Sequence, residues 1–287
     1  MLLVDFSSLA ISAVLYYHQK TGEQFDMQLT RQVILSSLIE QKKKLKEYAD
    51  EIVLCMDSRK GYWRKKVFAE YKGKRAAARK QSSFDWGSFF PHFDQFKQEL
   101  ADFFPVRCVQ VDGAEADDVI ATLAERFGAQ MPVCIASADE DFIQIQQNVC
   151  PKIKQWSNAK KKFLTPANLK YDLFEHIVRG DVGDGIPNIL SDNDTLMNPD
   201  KKQPSITKRM LAGWEQYGLA QPEKFCTSIE MLEHFRRNEL LIDLRKVPEE
   251  LRGRIVETYA ANPPQRGKVY GYLVANRLKK IISNGGF

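Results

Sequence analysis

Nine carboxylates fall into five groups along this chain of 287 residues. Asp5 closes the apolar run Leu2-Leu3-Val4, and Asp57 closes Ile52-Val53-Leu54-Cys55-Met56. Asp139 closes Val133-Cys134-Ile135-Ala136-Ser137-Ala138, with Asp141 two residues on. Two further groups lie off such runs: Glu115-Ala116-Asp117-Asp118, and Asp181 with Asp184. Carboxylates gathered in one place do not all stay ionised without cations between them. Oxygen donors with no Cys or His partner favour magnesium or manganese over zinc. Two such ions roughly 3.5–4 Å apart can activate a water and stabilise the leaving oxygen of a phosphodiester.

Each group also has a plainer reading. Aspartate is a preferred N-cap, so Asp5, Asp57 and Asp139 could each simply cap a following helix. Acids favour a helix N-terminus for dipole reasons, which weakens the 115–118 group when it is taken alone. Its spacing puts Glu115 and Asp118 on one face of a helical turn, with Asp117 offset. Asp139 and Asp141 point the same way along extended backbone. Gly180-Asp181-Val182-Gly183-Asp184-Gly185-Ile186-Pro187 taken alone is an ordinary acidic turn. Coincidence is a poor account of all five groups together. No Walker-type loop or GxGxxG turn follows a strand, so nucleotide-driven phosphoryl transfer lacks its usual cradle.

Acids at strand ends converge in space when the strands are parallel neighbours. The chain alternates strand and helix patterns as that requires. A helix follows Ser7-Ser8, and another spans roughly 29–48 with Val33, Leu38, Ile39 and Leu45 on its apolar side. A helix near 89–104 leads to a strand over Val106–Val111. The turn Asp112-Gly113 then opens a helix with Val119, Ile120, Leu123 and Phe127 on its apolar face, ending at Gly128. This alternation predicts an α/β fold with a central, mostly parallel sheet flanked by helices. After Gly180 the strand patterns fade and helix patterns dominate, with a Pro-, Asn- and Asp-rich loop over 186–205. The division expected is an α/β domain over residues 1–180 and a smaller, mainly helical domain over 181–287.

Hydrophobic and charged fractions of 44% and 28% are ordinary for a globular protein. No apolar run is long enough to span a bilayer, and the start turns acidic too soon for a signal peptide. Five scattered cysteines without zinc-ligand spacing read as reduced thiols, and the expected compartment is the cytoplasm. The net charge of +5 is unevenly spread: ten basic residues and one acid, Glu70, lie between Arg59 and Lys80. A basic block beside a carboxylate set implies a polyanionic substrate, held by one part and cut by another. Tyr62, Trp63, Phe68 and Tyr71 interleave its first half, and Ala76-Ala77-Ala78 makes its second half helix-prone. Many of these lysines could instead line a solvated helix face, and Trp63 and Phe68 could form a local core.

The ordered set of five acidic motifs, with Ser137-Ala138-Asp139-Glu140-Asp141-Phe142 and Gly180–Pro187 among them, resembles the structure-specific 5′-nuclease (flap endonuclease) family over nearly the whole chain. Val53–Asp57, Gly61-Tyr62-Trp63-Arg64 and Pro263–Tyr270 are most similar to the RNase H members from T-even bacteriophages. The resemblance implies that Asp5, Asp57, Glu115, Asp117 and Asp139 surround a first metal ion. It implies that Asp141, Asp181 and Asp184 serve a second, some through water, and that Asp118 belongs to the same metal-binding set, either directly or through a neighbour. The ions implied are two Mg2+, with Mn2+ as a substitute. Tyr71-Lys72-Gly73-Lys74-Arg75 is similar to the family's motif at the base of a helical arch, here 59–90. Lys72 and Arg75 would then contact the scissile phosphate or a neighbouring one and, with Asp139, make up the catalytic set, and Tyr71 would stack on a terminal base. Arg64, Lys65, Lys66, Lys74, Arg79 and Lys80 would track the phosphate backbone. Family members often carry a Gly-x-Gly hairpin after the Gly-Asp turn; here 189–204 stand in its place, and Thr207, Lys208 and Arg209 would bind duplex at a helix start.

The function so implied is that of a monomeric 5′-to-3′ exonuclease and 5′-flap endonuclease. It would remove RNA primers and adjacent DNA during phage lagging-strand replication, by two-metal-ion hydrolysis. Its partners would be RNA–DNA hybrid and nicked or flapped duplex, with a replication clamp and a single-strand-binding protein, and no membrane. The terminal Gly285-Gly286-Phe287 is a candidate docking peptide. The alternative is a non-catalytic nucleic-acid-binding protein with a degenerate metal site; the completeness of the carboxylate set favours the enzyme. A haloacid-dehalogenase-like phosphatase would need Asp-x-Asp at the first strand, which Asp5-Phe6-Ser7 does not supply.

Overall fold

A computed structural model describes residues 1–167, 172–285 and 287. In chain order the strands are β1 (Leu2–Asp5), β2 (Ile52–Met56), β3 (Arg107–Gln110), β4 (Cys134–Ala136), β5 (Lys154–Ser157) and β6 (Lys162–Leu164). The helices are α1 (Phe6–Thr21), α2 (Met27–Lys44), α3 (Trp63–Val67), α4 (Lys74–Gln81), α5 (Trp86–Phe103), α6 (Ala116–Phe127), α7 (Ile143–Asn148), α8 (Leu173–Arg179), α9 (Lys208–Glu215), α10 (Ile229–Ile242), α11 (Glu249–Ala261), α12 (Val269–Ala275) and α13 (Lys279–Ser283). Among the described residues no helix is long and apolar enough to cross a membrane. All five cysteines are free.

The strands form one sheet in the order β3-β2-β1-β4-β5-β6. Every pairing from β3 to β5 is parallel, and only β5–β6 is antiparallel. β1 and β2 are buried along their whole length, as a sheet covered on both faces requires. Alternate residues serve the two faces. Leu2, Val4, Leu54 and Ala136 join the core built with Phe6, Ile34, Leu38, Phe89 and Phe96 from α1, α2 and α5. α6 packs on β1, β2 and β3 and buries Val119, Ile120 and Leu123 completely.

The chain divides into two compact units, each built from separated stretches of sequence. The first comprises Met1–Lys60, Ser82–Leu169 and Glu249–Phe287; the second comprises Gly61–Gln81 and Lys170–Pro248. This differs from the expected single cut at residue 180, for two physical reasons. The last helices bury Tyr272, Leu273, Leu278 and Ile281 in the core of the first unit. Tyr272 donates its hydroxyl to Glu99 Oε2 at 2.5 Å, and Arg107 donates to the Tyr259 carbonyl at 2.6 Å. The early basic segment gives Phe68 and Tyr71 to the core of the second unit, beside Phe174, Ile177, Ile186, Ile189, Phe225 and Phe235. Of the terminal tripeptide, Gly286 lies outside the described residues. Phe287 stacks its ring edge against Phe104 at a centroid distance of 5.3 Å, so its side chain is taken up within the first unit.

Candidate active site

The strand order places β2, β1 and β4 side by side; Asp5 is the last residue of β1, Asp57 directly follows β2, and Asp139 lies three residues beyond β4. Asp5 is only 7% exposed. Its carboxylate accepts from the Ser8 amide at 3.1 Å, capping α1, and from Ser137 Oγ at 2.9 Å. Burial, and then the charges of Asp57 and Asp139, push its pKa up to about 7. Burial is the larger cause, and the Asp57 and Asp139 charges add to it because the three carboxyls lie near one another. Cys55 pairs with Asp5 across the sheet. Burial, then Asp5 and Asp117, raise its thiol well above the ordinary value, which brings Asp117 into the same neighbourhood. Asp57 Oδ1 accepts from the Ala116 amide at 3.1 Å and so ties the end of β2 to the start of α6.

The capping readings and the convergence coexist. Asp139 caps a short 3-10 turn by accepting from the Asp141 amide at 2.9 Å. This turn ends β4 at Ala136, earlier than the apolar run implied. Glu115 and Asp118 are fully buried. Asp118 Oδ2 accepts from the Glu115 amide at 2.9 Å, so its carboxylate serves the start of α6. Asp117 and Asp141 are half-buried and Asp139 is exposed. The donors gathered around the end of β1 are all oxygens, and Asp5 is held where its ionised form is unfavourable without a neighbouring cation. A hard divalent ion fits both facts.

Two supporting side chains were not singled out in the sequence. Ser137 Oγ donates to Asp5 and also accepts from the Asp139 amide at 3.2 Å, joining two strand ends. Gln155 on β5 is fully buried and donates to the carbonyls of Ser137 and Asp139, at 3.2 and 2.5 Å. Ser137 had a signal, since it stands two residues before Asp139 on the same extended face. Gln155 had none, because its four-residue strand mixes polar and apolar residues.

In the second unit, the turn after α8 carries Asp181 and Asp184. Asp181 Oδ1 accepts from the Asp184 amide at 3.1 Å, and its carbonyl accepts from the Ile186 amide at 2.7 Å. Burial works against its ionised form, but the nearby His176 ring and the Asp184 and Gly183 amides outweigh it and hold its pKa below the ordinary value. Asp184 faces the basic segment. Its carboxylate accepts from Arg75 Nη2 at 2.6 Å and from the Tyr71 hydroxyl at 3.0 Å, with Lys72 Nζ at 3.5 Å. The Lys72 ammonium lies over the Tyr71 and Tyr62 rings, and its side chain is 9% exposed.

Two expectations for the basic segment are corrected by packing. Tyr71 is 2% exposed and engaged with Asp184, so it offers no free ring face for a base. Arg64 is also 2% exposed; it donates to the Leu241 carbonyl at 2.9 Å and stacks on Trp63. It joins α3 to α10 and is withdrawn from any phosphate track. Arg64→Ala should therefore cost about 2 kcal/mol in urea denaturation, whereas Lys65→Ala should stay within about 0.5 kcal/mol. Lys65, Lys66, Lys74, Arg75, Arg79 and Lys80 are exposed, as are Thr207, Lys208 and Arg209. Thr207 caps α9 by accepting from the Met210 amide at 3.2 Å.

Comparison with known proteins bears on the family and the fold. The model of the 5′–3′ exonuclease N-terminal, resolvase-like domain matches residues 1–173, and that of the T4 RNase H C-terminal domain matches residues 167–285. Ribonuclease H of Enterobacteria phage T4 is 30% identical over 290 aligned residues, covering 98% of this chain and 93% of that protein. A bacteriophage T5 flap endonuclease, crystallised as a pseudo-enzyme–product complex with DNA and metal ions, shares the fold with a TM-score of 0.64. It is 17% identical and covers 91% of this chain and 97% of its own. The T5 5′-exonuclease with bound zinc has a TM-score of 0.61 at 16% identity, covering 91% of this chain and 98% of its own. An N-terminal nuclease model over more than half the chain, and a relative matched almost end to end, lead to one conclusion: the chain belongs to the 5′–3′ exonuclease family, with a C-terminal domain of the T4 RNase H type.

Proposed function

We propose that this protein is a magnesium-dependent 5′-to-3′ exonuclease and 5′-flap endonuclease that removes RNA primers and adjoining DNA during phage lagging-strand replication. One observation carries the reading: the buried Asp5 carboxyl lies beside Asp57 and Asp139 at the carboxyl edge of three neighbouring parallel strands. The kinship with phage T4 ribonuclease H supports the substrate class, and the T5 complex with DNA and metal ions supports the ligand class.

In this reading Asp5, Asp57, Asp117, Asp139 and Asp141 supply oxygen ligands to two divalent ions, with Glu115 close behind. When bound, the ions supply Lewis acidity at the phosphodiester and make water a competent nucleophile near neutral pH. The protein's own part is to hold the ligands still. Ser8 and Ser137 fix the Asp5 carboxylate, and Gln155 fixes the main chain on both sides of Ala138. Lys72 and Arg75 offset charge that builds on the reacting phosphate. The exposed cations of the basic segment, with Lys208 and Arg209 at the start of α9, bind backbone phosphates without reading sequence.

Asp139→Asn tests the reading on 5′-labelled RNA–DNA hybrid and flap substrates. Loss of a metal ligand should lower the magnesium-dependent rate by about a thousandfold or more, with substrate binding retained in a gel-shift assay. Undiminished cleavage in magnesium would overturn it. Wild-type protein that binds the same substrates and cuts none at any magnesium concentration would establish a binding protein instead.

A further inference from the structure

We propose that Asp184 is a positioning residue for the basic segment, setting Lys72 and Arg75, and not a direct ligand of a metal ion. The assignment rests on the nuclease reading above and departs from the role that family resemblance gives this aspartate.

Three donors from one short stretch converge on its carboxylate. Arg75 Nη2 lies 2.6 Å from Oδ1, and the Tyr71 hydroxyl lies 3.0 Å from Oδ2, with Lys72 Nζ 3.5 Å away. A carboxylate offers about four lone-pair sites, so this one is largely committed within its own unit. The main chain repeats the connection: the Lys72 amide donates to the Asp184 carbonyl at 2.7 Å. Lys72 holds φ at 55°, in the left-handed region. That conformation is unfavourable for a non-glycine residue and persists only where surroundings fix it. The Asp184 carbonyl is one such restraint. The two aspartates of the turn thus divide their work. Asp181 turns inward to the Asp184 amide and shapes the turn, while Asp184 reaches out to the cations.

The chemical consequence is specific. Arg75 is 49% exposed and Lys72 only 9%. Asp184 therefore orients a guanidinium that still faces solvent, and keeps an ammonium seated between two tyrosine rings and a carboxylate. Two long cationic side chains held in place lose less freedom on meeting a phosphate. Without Asp184 the same charges would be present but unaimed.

The test compares Asp184→Asn, Asp184→Ala, Lys72→Ala, Arg75→Ala and the Asp184→Ala/Arg75→Ala pair. It uses the full chain, a 5′-flap substrate and magnesium. Steady-state kinetics gives kcat and KM, and calorimetry gives magnesium affinity without turnover. The expected result is a fall in kcat of about tenfold or more for Asp184→Ala. Asp184→Asn, which keeps one acceptor oxygen where the carboxylate offers Arg75 and Tyr71 one each, should recover part of it. The double variant should be slowed by clearly less than the product of the two single effects, because the two changes share the Asp184–Arg75 contact. Magnesium affinity should stay within twofold of the wild type. Magnesium affinity reduced tenfold or more in Asp184→Asn, with multiplicative effects of Asp184→Ala and Arg75→Ala, would make Asp184 a ligand and overturn the proposal. If Asp184→Ala does not fold, the pair Asp184→Asn/Arg75→Ala carries the same comparison. Unchanged kcat in both Lys72→Ala and Arg75→Ala would leave nothing to position and would also overturn it, whereas failure of the nuclease reading itself would appear in Asp139→Asn.

Discussion

Asp5→Asn should abolish magnesium-dependent cleavage while making the metal-free protein more stable at pH 8. The two effects have one cause. The Asp5 carboxyl is buried beside Asp57 and Asp139, and its pKa in the fold rises from 3.8 to about 7. A carboxyl raised in this way keeps its proton in the folded protein while the unfolded chain has already released it. The native state therefore holds the extra proton between about pH 4 and pH 7. Stability falls as pH rises through that window, and the whole loss persists above it. A difference of that size is worth about 4 kcal/mol. Asparagine cannot ionise, and its amide oxygen can still accept from the Ser8 amide, so the variant should escape the loss. The measurement is urea denaturation of both proteins in chelator at pH 5 and pH 8. The variant's advantage should grow from about 1–2 kcal/mol at pH 5 to about 4 kcal/mol at pH 8, and magnesium should restore stability at pH 8 to the wild type far more than to the variant. A wild type whose stability relative to the variant is the same at both pH values would show that Asp5 ionises freely.

Gly180→Ala should be the most damaging small substitution in the second unit. Gly180 has φ at +70°, and a Cβ built there would lie 2.4 Å from the Ile186 carbonyl oxygen and 2.6 Å from two backbone atoms of Pro187. These are main-chain atoms, so no side chain can swing aside to relieve the clash. The backbone conformation alone penalises an L side chain by about 1–3 kcal/mol, and the overlap adds to it. A loss of at least about 3 kcal/mol is expected in chemical denaturation. The same change would move the Asp181–Ile186 bridge and with it the Asp184 carboxylate, so flap cleavage should fall even where the fold survives. Near wild-type melting and cleavage would mean that the turn can reopen at little cost.

What the sequence made legible follows from how local each signal is. β1 and β2 were plain because four or five consecutive buried apolar residues leave few alternatives, and their terminal aspartates followed directly. β5 and β6 were not. Lys154-Gln155-Trp156-Ser157 alternates in no simple way, because Gln155 and Ser157 are buried for their hydrogen bonds and not for their apolarity. Charge along the basic segment was equally plain, but whether a given cation faces water depends on through-space packing. Arg64 and Lys65 are adjacent and identical in charge; one is enclosed by α10 and the other is exposed. Asp184 looked like one more acid in a series, since nothing nearby in sequence says that residues 71–75 fold onto it. The division into units escaped for the same reason, because the apolar faces of α11 to α13 do not reveal which core they complete.

That division bears on how the protein is made. A ribosome releases the chain from the N-terminus, and domains generally close as their sequence emerges. Here the unit that carries Asp5, Asp57 and Asp139 needs Glu249–Phe287 to finish its core, and the entire second unit is synthesised first. Nascent chains can lay down the sheet early, yet its outer helices arrive last. The carboxylate cluster is thus held in an incomplete scaffold until Glu249–Phe287 have emerged, and its final packing waits on residues made after the whole second unit.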